Sequence, residues 1–170
     1  MQFVSTTRFR KLSVDCLLII RVMPHTHISA HIHYVFSTKN RAHGIPPRLQ
    51  PDLWAYIGGI ARSDAAKALA VGGINNHVHV LLSLPPIMSI ATAMQHIKGA
   101  SSRWLHQEHR LDCEWQEGYG AFTVGASQIA ATIRYISSQP EHHQKMSFED
   151  EFLTFLKKHE IAYDSKFVFG

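Results

Sequence analysis

A chain of 170 residues with 45% hydrophobic and 18% charged side chains fits one globular domain with a single core. Its net charge of +4, counting histidine neutral, permits a polyanionic partner without demanding one. No apolar run approaches the roughly 18 residues of a membrane-spanning helix, and the two cysteines, Cys16 and Cys113, stand far apart in no metal-type spacing, so a reducing cytoplasm and no membrane partner are expected.

Residues 1–22 differ from the rest of the chain. Arg8, Arg10 and Lys11 precede an apolar run at 14–20 that resembles a secretory signal. The run is short, contains Asp15, ends at Arg21 and lacks a small-residue cleavage site, so export is not expected. This segment reads as an upstream extension, with Met23 as the natural start and residues 23–170 as the domain.

Ile28, Ala30, Ile32, Tyr34 and Phe36 then alternate with Ser29, His31, His33 and Ser37, which predicts a first strand. A polar, basic turn comes next at 37–41. Pro46-Pro47 opens a helix over about 48–68, with Leu49, Leu53, Ile57 and Ile60 on one face. Gly58-Gly59 inside it costs roughly 1 kcal/mol per glycine relative to alanine, which predicts a close backbone approach. A short second strand at 68–72 turns through Gly72-Gly73 into a third strand. There Val78, Val80, Leu82 and Leu84 point one way, and His77, His79 and Ser83 the other. Two imidazoles side by side on one face are within reach of a single divalent metal.

Pro85-Pro86 ends that hairpin, and Ser89 is the expected N-cap of a helix running to about 109. Its apolar stripe is Ile90, Met94, Ile97, Trp104 and Leu105, with Lys98, Ser101, Ser102 and Arg103 off the stripe. An irregular loop over 111–120 leads to a fourth strand at 121–124. Ser127 caps a helix that Pro140 should stop immediately after Gln139. Its core side is Ile129, Ile133 and Ile136, while Tyr135 and Gln139, spaced i, i+4, share a neighbouring face. A last helix starts at Ser147 with Asp150 in capping-box position and buries Phe148, Phe152, Phe155 and Leu156.

The order β-α-β-β-α-β, then two helices, predicts an α+β fold. It is a ferredoxin-like antiparallel sheet with helices on one face, plus a C-terminal tyrosine-bearing helix and a terminal helix. The first and third strands are central neighbours in that topology, so His31, His33, His77 and His79 can share one sheet face. That histidine-rich face must be covered by something or bind something. The helix with Tyr135 and Gln139 offers it a nucleophilic oxygen and a neutral oxygen ligand; a half-buried tyrosine beside a surface glutamine is the simpler alternative.

These residues carry a resemblance. His77-Val78-His79 is similar to the His-hydrophobic-His motif of the HUH nucleases. Tyr135 with Gln139 on a terminal helix resembles the catalytic helix of the single-tyrosine transposases, which mobilise minimal bacterial insertion sequences as single-stranded DNA and have REP-associated relatives. Further similarity lies in the stretches 36–41, 97–103, 115–122 and 135–143, in the expected order. Asn75 and Asn76 stand where an acidic residue often precedes the histidine pair.

The resemblance implies that His77, His79 and Gln139 bind one divalent cation, Mg²⁺ or Mn²⁺, on which the scissile phosphate oxygens would sit. Tyr135 would attack phosphorus, releasing a 3′-hydroxyl and leaving a 5′-phosphotyrosine link, and reversal by another 3′-hydroxyl would join new ends. It also implies hairpin-containing single-stranded element ends as substrate, and a homodimer in which the tyrosine helix can serve its partner's histidine pair. The residue types suit this chemistry. Neutral ligands leave the cation's charge available to phosphate, and a phenol with a free pKa near 10 must lose its proton and be placed in line before it attacks. Lys39, Arg41, Lys98 and Arg103 are candidates for phosphate contact, and Trp115 and Tyr119 for stacking on unpaired bases. His31-Ile32-His33 is a second His-x-His, whose members can serve as accessories. The reading from a different class is a non-catalytic, single-stranded nucleic-acid-binding domain of ferredoxin-like fold.

Overall fold

A computed structural model describes residues 26–169; the expected extension at 1–22 and the start at Met23 lie outside the described residues. Four antiparallel strands form one sheet: β1 (His31–Ser37), β2 (Lys67–Gly73), β3 (His77–Ser83) and β4 (Gly120–Thr123), in the order β2-β3-β1-β4. Helix α1 (Gln50–Ser63) joins β1 to β2, and α2 (Ile90–His109) joins β3 to β4. This is the ferredoxin-like topology that the element order predicts, an α+β fold.

Strand alternation sorts the side chains into two cores. Ile32, Tyr34 and Phe36 of β1 and Val78, Val80 and Leu82 of β3 pack against Leu53, Ile57, Met94, Ile97 and Leu105 of the two long helices. The opposite face carries Val35, with His33, His77 and His79 at alternating positions. It is closed by three further helices, α3 (Ile129–Ser137), α4 (Gln139–His142) and α5 (Phe148–Lys158). Phe148 and Leu156 of α5 join Val35 and Phe122 in a second, smaller core, to which Val168 and Phe169 add.

Local chemistry explains where elements end. Helix α1 stops at Ser63, five residues short of expectation, because the Ser63 hydroxyl donates to the Ile60 carbonyl (2.7 Å) and Ala65 takes a φ of 59°. Ser89 caps α2 as expected, its hydroxyl oxygen accepting from the Thr92 amide at 3.0 Å. The buried stripe of α2 is rotated from the apolar count: Ile90 is exposed, while Ser101, four residues from both Ile97 and Leu105, is fully buried. Its hydroxyl donates to the Ile97 carbonyl (2.6 Å) and accepts from the Trp115 indole (3.0 Å), so burial leaves no polar atom of it unpaired.

The close approach expected at Gly58-Gly59 lies elsewhere. At Gly58 an added Cβ would meet only the Arg62 guanidinium at 3.6 Å and Ala68 Cβ at 4.0 Å, so no close backbone approach exists there. The close approach is at Gly72 in β2, where a Cβ would lie 2.6 Å from the Ile136 carbonyl oxygen of α3. Residue 140 would normally donate its amide to that carbonyl, and proline has none. Pro140 therefore does not stop the helix after Gln139. The break falls at Ser138 (φ −100°, ψ 19°), and Pro140 sits in the first turn of α4, where no N–H is needed.

Candidate active site

His77 and His79 project from β3 into the second core with no solvent exposure. Each has its Nδ1 already engaged. Nδ1 of His77 lies 2.8 Å from the Asn76 side-chain oxygen, and Nδ1 of His79 lies 2.9 Å from Nε2 of His33. The Asn76 side chain thus serves to orient an imidazole. Both Nε2 atoms are left pointing into one pocket. His31 does not join them; its ring lies near the Ser29 hydroxyl at the other end of β1.

Helices α3 and α4 bring the other expected residues to the same place within a single chain. The side-chain oxygen of Gln139, fully buried, lies 3.1 Å from Nε2 of His77. Tyr135 sets its ring edge-on to His79, with centroids 5.9 Å apart. His77, His79, Gln139 and Tyr135 therefore converge, although Gln139 lies 62 positions beyond His77 in the chain.

At the centre stands a residue that the apolar pattern did not single out. Glu151 of α5 is 2% exposed. One carboxylate oxygen accepts hydrogen bonds from the Tyr135 hydroxyl and from Nε2 of Gln139 (3.0 Å). The other lies 3.3 Å from Nε2 of His79, 3.4 Å from Nε2 of His143 and 3.9 Å from Nε2 of His77. A signal for it was present: positions 148, 151, 152, 155 and 156 form one helical face, and a carboxylate on such a stripe needs buried partners. His143, in the short link between α4 and α5, belongs to no periodic pattern.

Burial and the adjacent His79 push His77 and His33 down to about 3, so both are neutral at physiological pH. Burial alone would raise the Glu151 carboxyl, but the His143 and His79 imidazoles and the Tyr135 hydroxyl outweigh it and hold the group well below the carboxylate range. Burial opposes charge on His143 too, and the Glu151 carboxylate outweighs that, raising its pKa. Burial and the same carboxylate push the Tyr135 phenol above its ordinary value.

The pocket suits a divalent cation. His79 Nε2, His143 Nε2 and Glu151 Oε2 are all buried without a hydrogen-bond partner. Ligand atoms of His77, His79, His143 and Glu151 lie within 4.8 Å of one another. With Nδ1 of His77 donating to Asn76, its Nε2 is a lone pair facing the Gln139 oxygen, an opposition that a cation between them would relieve.

The four candidate phosphate contacts do not gather at this pocket. Lys39 pairs with Glu114 at 2.6 Å on the surface. Arg41 pairs with Glu149 at 2.8 Å and lies over the Phe169 ring. The Lys98 ammonium is drawn onto the backbone carbonyls of Gln116, Glu117 and Gly118. Arg103 is exposed, with no acidic partner among the described residues. Trp115 is buried, edge-on to Phe36, and does not face solvent; Tyr119 is partly exposed against Tyr34.

Comparison with known proteins fits this geometry. Residues 26–139 match the family described as IS200-like transposases. The transposases of insertion sequence element IS200 from Salmonella typhimurium and Salmonella typhi are each 27% identical over 126 residues, covering 70% of this chain and 82% of theirs. Two solved structures share the fold. A candidate transposase from Deinococcus radiodurans R1 superposes with a TM-score of 0.53 at 24% identity, covering 68% of this chain and 94% of that one. A REP-associated tyrosine transposase bound to a REP hairpin gives 0.52 at 17% identity, covering 69% and 71%. With the family match spanning two thirds of the chain, from ahead of β1 through the histidine pair to Gln139, this protein belongs to the IS200-like transposases.

Proposed function

We propose that this transposase cleaves and rejoins single-stranded DNA through a 5′-phosphotyrosine link on Tyr135, with a divalent cation held by His77, His79 and Gln139. The observation that carries the reading is the convergence of a phenol, an amide oxygen and two oriented imidazoles in one buried pocket. Mg²⁺ or Mn²⁺ would supply Lewis-acid charge to the phosphate oxygens. Tyr135 supplies the rest. Its oxygen forms the new P–O bond as the 3′-oxygen leaves, the phenol proton departs toward the Glu151 carboxylate that accepts its hydrogen bond, the 3′-oxygen takes up a proton to become the 3′-hydroxyl, and the energy of the ester is kept for rejoining. In the arrangement described, the Tyr135 hydroxyl donates to Glu151, which points its proton at a carboxylate and leaves the oxygen lone pairs to meet phosphorus.

The substrate we propose is the hairpin-containing end of the element, a polyanion in keeping with the net charge of +4. Arg103, and Lys39 and Arg41 after release of Glu114 and Glu149, are proposed to meet its phosphates. Lys98 is proposed to act beside them by holding the 116–118 loop with its half-buried ammonium. Residues 23–170 would work as one catalytic domain, as a homodimer, in the cytoplasm; sedimentation of the full chain with and without DNA tests the dimer. No helix among the described residues is long and apolar enough to cross a membrane.

The deciding experiment incubates the protein with labelled single-stranded DNA from the ends flanking its own gene, plus Mg²⁺ or Mn²⁺. A covalent protein–DNA adduct is expected from the wild type and none from Tyr135→Phe, which should still bind DNA. Binding without any adduct from the wild type would favour the non-catalytic nucleic-acid-binding domain, and adduct from Tyr135→Phe would refute the assignment of the nucleophile.

A further inference from the structure

Beyond the residues that the family match reaches, α5 and the link before it supply a carboxylate and an imidazole to the same pocket. From this we infer that Glu151 and His143 join His77, His79 and Gln139 in the cation's ligand set, giving three imidazoles, one carboxylate and one amide oxygen, a set that prefers a first-row transition cation such as Mn²⁺ over Mg²⁺. The inference rests on the reading that His77 and His79 hold a cation.

The geometry of the unused atoms carries it. Nδ1 of His143 donates to the Met146 carbonyl (2.8 Å), which can only accept, so in the neutral ring Nε2 is a lone pair. That lone pair faces the Glu151 carboxylate oxygen at 3.4 Å, an opposition of two acceptors. Nε2 of His79 stands against the same oxygen at 3.3 Å, and none of the three atoms has a hydrogen bond. Three imidazoles have thus committed Nδ1 elsewhere and turned Nε2 toward one carboxylate oxygen. The spread of at most 4.8 Å is close to the roughly 4.2–4.4 Å between opposite ligands of an ion bound at about 2.1–2.2 Å.

The donor chemistry sets the preference. Imidazole nitrogens suit zinc, iron and nickel best; Mn²⁺, the weakest binder of the first-row divalent series, still accepts a mixed nitrogen and carboxylate set, whereas Mg²⁺ favours oxygen ligands and retained water. An anionic ligand also halves the formal charge of a dication, trading some Lewis acidity for affinity. Because Glu151 lies in α5, the bound ion would fasten that helix to the sheet. The competing arrangement is a metal-free ion pair between protonated His143 and Glu151.

Metal-free full-length protein titrated with Mn²⁺, monitored by electron paramagnetic resonance of the free ion, tests this. One Mn²⁺ per chain is expected. Spin-echo modulation should show three coordinated imidazoles, millimolar Mg²⁺ should fail to displace the ion, and Glu151→Gln should weaken binding at least tenfold. Wild-type affinity in Glu151→Gln, two imidazoles, or ready displacement by Mg²⁺ would overturn the inference; with His77→Ala/His79→Ala still abolishing binding, the two-histidine site would stand. Binding unaltered in that double variant would remove both. The imidazole count needs only the wild type, so the test survives a variant that fails to fold.

Discussion

One substitution made at two glycines should move stability in opposite directions. At Gly72 a methyl group would lie 2.6 Å from the Ile136 carbonyl oxygen and 3.0 Å from its Cγ2. An ordinary contact is about 3.4 Å, so α3 must withdraw by roughly 0.8 Å, and the obstacle is backbone that cannot rotate aside. Overpacking of this kind costs about 1–3 kcal/mol. For a chain of this size each kcal/mol is worth about 2–4 °C, so Gly72→Ala should melt about 2–12 °C below the wild type. Gly58→Ala, on α1, meets only ordinary contacts and should gain about 1 kcal/mol, melting about 2–4 °C higher. Because α3 carries Tyr135, Gly72→Ala should also slow covalent adduct formation, by about 100-fold if the phenol is displaced toward 1 Å. Calorimetry and single-turnover trapping measure the two effects. A Gly72→Ala protein that melts with the wild type and traps DNA at its rate would show that α3 is not seated on β2 as described.

The buried histidines set two further outcomes. In metal-free protein, His33 and His77 are held near 3 against 6.5 when unfolded, so the unfolded chain takes up protons that the fold refuses as pH drops below 6.5. Each group should remove about 2 kcal/mol by pH 5, and the depressed Glu151 adds to the loss at lower pH. His143, whose pKa is raised, offsets part of this, since its contribution is present below 6.5 and lost as pH rises. A melting temperature that stays flat from pH 7 to pH 5 would contradict this burial. His33→Ala leaves Nδ1 of His79 without its partner, and should weaken Mn²⁺ binding about 10–100-fold while leaving the imidazole count unchanged. Unchanged affinity would reduce His33 to packing.

Much of the site was legible because two short periods carry it. Alternation put His77 and His79 on one face of β3, opposite Val78 and Val80, and the i, i+4 spacing kept Tyr135 and Gln139 together. What escaped depended on tertiary partners. Glu151 sits on the same buried stripe as Phe148 and Phe155, and a count of apolar residues passes over a carboxylate among them. Ser101 escaped for the same reason, since its hydroxyl is buried only because Ile97 and Trp115 satisfy it. Pro140 read as a stop, whereas the chain used it to begin a new turn, leaving the Ile136 carbonyl for Gly72 to accommodate. The basic residues were visible as charges, but their direction was not: Lys98 turns inward because three carbonyls of the 116–118 loop converge on it.

The position of α5 also bears on handling the protein. Val35, Phe122 and the buried imidazoles of His33, His77 and His79 are kept from water by elements that include Phe148, Phe155, Leu156, Val168 and Phe169, all beyond Gln139. A chain shortened to the family-matched stretch would keep the sheet, both long helices and the residues most easily recognised. It would also display a broad apolar patch next to uncovered imidazoles, and patches of that kind drive self-association. Such a fragment should therefore sediment as aggregates or scavenge stray metal, and its inactivity would say nothing about Tyr135.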